Sequence, residues 1–258
     1  MATLPLIVLL VVLLTSVLSG IVGMAGGMIL MAVLIVVYSV PLAMMLHGVT
    51  QASANGSRAW FLQNHIRWHV LPPYLVGAGA CVALFASVAL VPDQALVLLL
   101  VGALPWLALG LPDRMQLDAE RRATAAGCGA VVTAAQLLAG ASGPLLDLFF
   151  QNSRLDRHQI VATKAVTQTI GHLIKLGYYG TLLVTVGTVE ELASFGGSEA
   201  PAWLFLTVVP VAVLGTLVGT RILDRVTEPT FRRLSSRIIL ALGVACVASG
   251  VLDLLDRV

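Results

Sequence analysis

Residues 160–179 read IVATKAVTQTIGHLIKLGYY, and the rest of the chain is best interpreted outward from this stretch. It is apolar enough to lie in a membrane, yet it contains two lysines, a histidine and a Thr-Gln pair. At 100° per residue, one helical face carries five positions, namely Lys164, Thr167, Gln168, Gly171 and Lys175. The sequence therefore predicts a membrane helix with an apolar back and a basic, hydrogen-bonding front.

Lys175 is the residue of this helix that most needs a partner. A lysine in hydrocarbon costs roughly 3 kcal/mol unless it meets water, a counter-ion or a substrate. Lys164 lies near the helix end at Arg154–His158, from which its ammonium can reach the surface. Lys175 lies about 25 Å from that end. We expect Lys175 to contact a bound substrate, with a purely structural ion pair as the alternative.

Composition places the whole chain in a membrane. Of the 258 residues, 58% are hydrophobic and 11% are charged, and the mean hydropathy is +0.96. Soluble domains carry about 25% charged residues, so these values indicate a polytopic membrane protein. The apolar run Leu4–Val22 lacks a basic start and a cleavage site, and we expect it to be a retained helix. The three cysteines have neither disulfide nor metal-ligand spacing, and we expect no cofactor.

The two halves of the chain repeat at a spacing of 117 residues. This shift lays one glycine-rich break (Gly23–Gly27) on another (Gly140–Pro144), and Thr50-Gln51 on Thr167-Gln168. It also pairs His47 with Lys164 and Arg58 with Lys175. We predict an all-α polytopic membrane fold in one membrane domain, with a first repeat over 1–116 and a second over 117–258. Each repeat would be a glycine-broken re-entrant hairpin followed by three transmembrane helices.

The basic loops indicate the orientation in the membrane. Lys and Arg outside the spans concentrate near 67, 112–122, 154–157 and 221–237, whereas the loops at 41, 92 and 187–200 have none. Cytoplasmic placement of the basic loops requires each broken element to enter and leave on the same side. The arm at 143–152 is about 15 Å long, too short to span. The halves are then inverted, both termini are external, and the protein is multi-pass in the plasma (inner) membrane.

The polar residues near the two breaks favour an anion site. Helix segments that begin after Gly26 and Gly143 would point free N–H groups and positive dipole ends into the interior. The basic residues of the polar helices 43–64 and 159–186 outnumber the single nearby acid, Asp147. Asp147 either neutralises a lysine or carries a coupling proton. The expected substrate-binding residues are Lys175, Gln168, Thr167, Lys164, His172, Ser142, Gly143, Gly26, Gln51, Thr50, Arg58 and Asn55.

Two stretches resemble a known family. The break at 140–144 and the segment ATKAVTQTIGHLIKLGYYG (162–180) resemble the sulfite exporter TauE/SafE permeases, which are similar to four-toluene-sulfonate uptake permeases. GIVGMAGGMIL (20–30) is similar to the first glycine-rich element of that family, although Met28 and Met31 stand where many members have glycine or proline. The resemblance implies transport of a sulfur-containing anion such as sulfite or an organosulfonate, with export favoured.

Two other functions, metal-ion transport and intramembrane catalysis, fit the sequence less well than anion transport. Five histidines and several methionines suggest a metal-ion transporter, but no pair within a span has ligand spacing and the interior charge is positive. An intramembrane enzyme using His172 and Asp147 lacks a catalytic signature. The sequence has no nucleotide-binding loop, so transport is expected to be secondary and driven by a gradient. The expected partners are a small anion and the lipid bilayer, not nucleic acid, and a homodimer is left open.

Overall fold

The computed structural model describes residues 3–22, 25–110, 117–150, 153–185, 200–223 and 228–256. Within these ranges the chain forms helices and turns, which confirms the all-α class. Two short 3-10 turns, Gln63–His65 and Trp68–Val70, lie between the third and fourth helices. The helices are α1 (Thr3–Val22), α2 (Ala25–Val37), α3 (Val40–Phe61), α4 (Leu71–Val88), α5 (Gln94–Gly110), α6 (Arg122–Ala139), α7 (Gly143–Phe150), α8 (Arg157–Thr185), α9 (Ala202–Leu223) and α10 (Glu228–Leu255).

Three of these helices are long and apolar enough to cross a membrane, namely α1, α4 and α9. Shorter apolar helices are found at Ala25–Val37, Gln94–Leu107 and Leu240–Leu255. Large apolar side chains such as Leu6, Val76 and Leu206 are 60%, 71% and 76% exposed, as expected of surfaces that face lipid. The polar helices α3 and α8 are instead packed along each other in the interior.

The main helix–helix contacts join the first half of the chain to the second. Besides α3 with α8, the most extensive pairs are α1 with α9, α4 with α6, and α5 with α10. Small residues allow these crossings: a Cβ on Gly20 would lie 2.7 Å from the Gly219 Cα, and one on Gly102 would lie 2.6 Å from the Gly243 carbonyl oxygen. The two halves are therefore packed extensively against each other. Close backbone approach of this kind stabilises helix bundles in lipid.

The two shortest helices, α2 and α7, are mostly buried within the protein. At about 20 Å and 12 Å they are shorter than the roughly 30 Å hydrocarbon core of a bilayer. The break before α7 is made by Gly140, which ends α6 in the left-handed region at φ 70°. A side chain there would also collide with the thioethers of Met31 and Met44, so only glycine fits.

Three helix starts, those of α3, α5 and α8, have residues that favour a helix N-terminus. Pro41 lies in the first turn of α3, where its missing N–H is not required. The Asp93 carboxylate accepts a hydrogen bond from the Leu96 N–H at the start of α5 (2.8 Å). At α8, Asp156 and Gln159 form a reciprocal capping box, with bonds of 2.9 and 3.2 Å between each side chain and the other's backbone N–H.

Three of the basic connections lie together at one end of the bundle. Glu120 pairs with Arg67 at 3.5 Å and with His69 at 3.7 Å. The ring centroids of His65 and His158 are 5.2 Å apart. The links around 62–70, 117–121 and 153–158 therefore share one face.

One predicted loop is wrong. The basic stretch Arg221–Arg237 was expected to be a loop, but α9 continues to Leu223 and α10 already includes Glu228 onward. Arg221 lies in the last turn of α9, and Arg232, Arg233 and Arg237 lie within α10. Arginine has a high helix propensity, which favours these extensions. The predicted boundaries at Gly23, at 112–116 and in most of 187–200 lie outside the described residues.

Candidate functional site

A small, partly open cavity of about 20 Å³ is lined by the first turn of α2 and by the start of α7, together with residues of α1, α3, α6 and α8. Of the described residues that line it, none is Lys, Arg, Asp or Glu. The polar lining therefore consists of amides, hydroxyls and two imidazoles. The lining residues are Ser19, Gly27, Met28, His47, Gln51, Asn55, Gln136, Ala141, Ser142, Gly143, Gln168 and His172.

Residues related by the shift of 117 meet in this cavity. The shift pairs Gln51 with Gln168, Asn55 with His172, and Ser19 with Gln136, and all six line it. Each half thus contributes one residue from its first helix (α1 or α6) and two from its polar helix (α3 or α8). The cavity is consequently lined from both halves by equivalent positions.

The side-chain amide of Gln51 has an N–H donor without a hydrogen-bond partner. The side chain is 4% exposed, and its Nε2 is buried without a hydrogen-bond partner. A Cβ on Gly27 would lie 3.1 Å from Gln51 Oε1, so the absence of a side chain at Gly27 leaves room for this amide. An unpaired buried amide N–H costs about 1–3 kcal/mol, which a bound acceptor would relieve.

A second donor network lies on the other wall. The Ser142 hydroxyl donates to Gln136 Oε1 (2.8 Å), and Gln136 Nε2 donates to His172 Nδ1 (2.6 Å). His172 is 4% exposed, and its ring centroid is 5.4 Å from that of His47. Ser142 precedes the first turn of α7, so the network fixes the break relative to α6 and α8.

Lys175 lies behind the cavity and is not among its lining residues. It is fully buried and donates to His47 Nδ1 (2.8 Å) and to the Gly140 carbonyl (2.9 Å). In the part of the chain that the structure describes, it pairs with no carboxylate. Lys175 was expected to contact a substrate, with a structural ion pair as the alternative. Its described partners are an imidazole and a carbonyl, not a carboxylate, and contact with a substrate stays a prediction.

The other expected basic residues also lie outside the lining. Lys164 forms an ion pair with Asp147 of α7; their side chains are 20% and 39% exposed. Arg58 donates to the Ser19 carbonyl at 3.2 Å. A carboxylate beside Lys164 and a carbonyl beside Arg58 lower the cost of keeping these charges within the bundle.

The expected threonine donors bond to their own helices. Thr50 donates to the Leu46 carbonyl (2.8 Å), and Thr167 donates to the carbonyls of Thr163 (3.1 Å) and Lys164 (3.0 Å). Both are fully buried and neither lines the cavity, because a hydroxyl in a helix readily back-bonds to a preceding carbonyl. Gly26 is packed on α1, where a Cβ would collide with the Thr15 carbonyl.

The geometry gives little support to the alternative chemistries. Over the described ranges, no three His, Cys, Asp or Glu side chains come together as a metal site. His172 is bonded to Gln136, whereas Asp147 is paired with Lys164, so these two form no acid–base dyad.

Six lining residues were absent from the expected site: Ser19, Gly27, Met28, His47, Gln136 and Ala141. The repeat itself carried a signal for two of them, since the shift that aligns the Thr-Gln pairs also lays Ser19 on Gln136. His47, from its sequence position, reads equally well as a core histidine.

Comparison with known proteins identifies the family. No curated protein and no solved structure matches the chain. The family model described as "Sulfite exporter TauE/SafE" matches residues 8–246, which include every residue that lines the cavity. The chain therefore belongs to the sulfite exporter TauE/SafE family.

Proposed function

We propose that this protein is a secondary transporter that exports sulfur-containing oxyanions such as sulfite or an organosulfonate, and that the anion binds in the cavity between α2 and α7. Membership of the family and the apolar helices identify a multi-pass membrane transport protein, and a transport family favours no enzymatic role. The substrate, the direction and the site are the parts that the proposal adds.

One observation carries the proposal: neutral donors from both halves surround a cavity at two helix N-termini. Gln51 Nε2 is buried and unpartnered, and the Gln168 amide and the Ser142 hydroxyl lie in the same lining. The first-turn N–H groups of α2 and α7 add positive partial charge there. Among the described residues, no carboxylate lines the cavity to repel an anion.

Several oxygens on one sulfur suit this set of donors. An oxyanion accepts several hydrogen bonds at once, and charge-assisted hydrogen bonds are roughly twice as strong as neutral ones. Amides and hydroxyls placed on opposite walls would hold a sulfite or sulfonate head group from both halves of the protein. Met28 and Ala141 are the apolar lining residues against which an organic substituent would rest.

We further propose that the two halves, 1–116 and 117–258, are inverted repeats of one membrane domain, each with a re-entrant hairpin. The helices α2 and α7, one from each half, are short enough to be arms of such hairpins, and residues at the start of each line the same cavity. The shared face of the basic links supports a cytoplasmic position for them and external termini. Rocking of one half against the other would then expose the cavity to each side in turn.

Thermal stabilisation of the purified protein tests the proposal most directly. A ligand at 100 times its dissociation constant stabilises the folded state by about 2.7 kcal/mol, so binding anions are easily detected. We expect stabilisation by sulfite or methanesulfonate and none by chloride or Zn²⁺. Gln51→Ala should weaken it. Stabilisation by divalent metals alone would reject anion transport in favour of metal transport.

The direction requires a transport measurement. In proteoliposomes of known protein orientation, we expect radiolabelled sulfite to move from the cytoplasmic to the external side when loaded on the cytoplasmic side. Flux in the opposite direction only, under matched gradients, would overturn export and leave anion transport standing.

A further inference from the structure

We propose that Lys175 and His47 together form a proton-binding site that takes up a proton when an anion binds in the cavity. The inference rests on the proposed function, because it assigns the group that couples protons to the same anion site. It differs from the sequence-based expectation, in which Asp147 was the candidate for coupling.

The hydrogen bonds around His47 fix which ring nitrogen carries hydrogen. His47 Nε2 lies 2.9 Å from the Gly27 carbonyl oxygen, which can only accept. Nε2 therefore donates, and Nδ1 of the neutral ring accepts from Lys175 at 2.8 Å. His47 also lines the cavity, so it links the buried lysine to the anion site.

The number of N–H groups on Lys175, compared with the number of acceptors around it, shows what an added proton would change. A neutral amine has two N–H groups, and two acceptors are present, namely His47 Nδ1 and the Gly140 carbonyl. An ammonium has three N–H groups and a full charge. No carboxylate of the described residues lies beside Lys175 to balance that charge. An anion in the cavity would balance it.

The other titratable groups around Lys175 have partners of their own. His172, from the same helix, is the nearest further imidazole and bonds to Gln136. On the surrounding helices, Arg58 bonds to the Ser19 carbonyl, Lys164 pairs with Asp147, Tyr74 bonds to the Thr167 carbonyl, Tyr178 to the Leu90 carbonyl and Tyr179 to the Leu137 carbonyl. Asp147 is thus engaged by Lys164, whereas the pair Lys175–His47 has spare capacity for a proton.

Proton and anion binding then favour each other. Each supplies the charge that the other lacks, and such coupling is reciprocal by linkage. The pair also ties Gly27 in α2 to Gly140 at the end of α6, one break from each half. Movement of one half against the other would therefore move the proton site together with the anion site. A monoanion carried with one proton moves no net charge, so its export would be driven by the concentration gradient of the anion and would not respond to voltage.

Proton uptake on anion binding tests this directly. Purified full-length protein in weakly buffered detergent solution at neutral pH is titrated with sodium methanesulfonate, and protons are followed with a pH-indicator dye. Methanesulfonate is chosen because it does not itself titrate near neutral pH. We expect about one proton taken up per bound anion, and an affinity that falls up to tenfold per pH unit as the pH rises.

Lys175→Gln keeps two N–H donors for the two acceptors and removes the titrating group. We expect this variant to bind methanesulfonate without proton uptake and with an affinity that no longer depends on pH. Lys175→Met also removes the titrating amine, should likewise abolish proton uptake, and carries the test if Lys175→Gln fails to fold. His65→Gln is the matched control, since it removes an exposed histidine of a 3-10 turn, and uptake should persist.

Sulfite extends the comparison if it binds and methanesulfonate does not. Sulfite titrates itself, but equally for every variant, so the difference in proton uptake between wild type and Lys175→Gln isolates the protein's proton. Binding without uptake in the wild type, or uptake that survives in both variants, would overturn the inference and leave the proposed function intact. Uptake lost in Asp147→Asn but kept in Lys175→Gln would also overturn it. Absence of binding by any sulfur oxyanion would instead reject the proposed function.

Discussion

The shift of 117 residues lays the polar helix α3 on the polar helix α8, but their neutral and their charged residues differ in how well their contacts correspond. The neutral mates Gln51 and Gln168 both line one cavity. The charged mates do not correspond in their partners: Arg58 donates to the Ser19 carbonyl, whereas Lys175 donates to His47 and Gly140. The halves are therefore alike where they line the cavity and unlike where they carry charge.

The same difference appears at the pair His47 and Lys164. His47 bonds to the carbonyl of Gly27 in α2, whereas Lys164 bonds to the carboxylate of Asp147 in α7. The shift of 117 lays Leu30 on Asp147, so the first half has no acid at this place. Duplicated neutral donors are what a site shared by two halves needs. Unequal charges would make the two halves respond differently to protons and to the membrane potential.

The largest expected effect concerns the inversion itself and is all-or-none. If the halves are inverted, the link from α3 to α4 and the equivalent link from α8 to α9 lie on opposite sides of the membrane. In intact cells, Ala200→Cys should react with an impermeant thiol reagent and His69→Cys should not. The native cysteines Cys81, Cys128 and Cys246 are buried, so we expect little background labelling from them.

Permeabilised cells are the control for this experiment, since both introduced cysteines should then be labelled. Labelling of both positions in intact cells, or of His69→Cys alone, would contradict the inverted arrangement with external termini.

The shared cavity predicts coupling between the two glutamines. Gln51→Ala and Gln168→Ala should each weaken anion binding about tenfold, because each removes a donor worth about 1.4 kcal/mol to a charged acceptor. The double variant should lose less than the sum, because both side chains contact one ligand. Isothermal titration with sulfite or methanesulfonate measures all four proteins.

Thr50→Val and Thr167→Val form the matched control pair. Both hydroxyls donate to carbonyls of their own helices, so anion affinity should change little. Unchanged anion affinity in Gln51→Ala together with weaker affinity in Gln168→Ala would confine the site to the second half and contradict a cavity shared by both halves.

The fold was more predictable from sequence than the site, for a physical reason. Apolar runs and glycine breaks depend on local sequence, so the all-α class and nearly every helix of the described residues were expected, and the loop at 221–237 was the clear error. Partners of buried polar groups depend on packing between distant helices. The bond from Lys175 to His47 spans 128 positions, and no local pattern shows that a histidine of α3 will be a partner of this lysine.

The ion pair of Lys164 and Asp147 tests whether charge distinguishes the halves. Asp147→Leu introduces the residue type found at its mate Leu30 and leaves Lys164 without its carboxylate. Since both side chains are partly exposed, we expect a loss of about 1 kcal/mol in stability, below the value for a fully buried pair. Thermal unfolding in detergent measures it.

The double variant Lys164→Met with Asp147→Leu removes both charges and should recover most of that loss. If the double variant is as unstable as Asp147→Leu alone, the loss comes from packing of α7 and not from the unpaired lysine.

The smallest expected effect lies at the N-termini of the two polar helices, where the shift lays Ser39 on Asp156. Ser39 makes no side-chain capping bond at α3, whereas Asp156 forms a capping box with Gln159 at α8. The hydrogen bond from the Gln159 backbone N–H lowers the pKa of the exposed Asp156 carboxyl.

A carboxyl group with a lowered folded-state pKa stabilises the folded protein above its unfolded-state pKa, and this contribution disappears as pH falls through the folded-state value. Asp156→Ala should therefore lower the melting temperature slightly at pH 7, and the difference from wild type should shrink below the ordinary aspartate pKa of about 3.9. Asp156→Asn keeps a capping acceptor and should fall between the two. Ser39→Ala should have no comparable effect, and an equal loss at Ser39 would show that the two helix starts are alike in energy despite their different bonds.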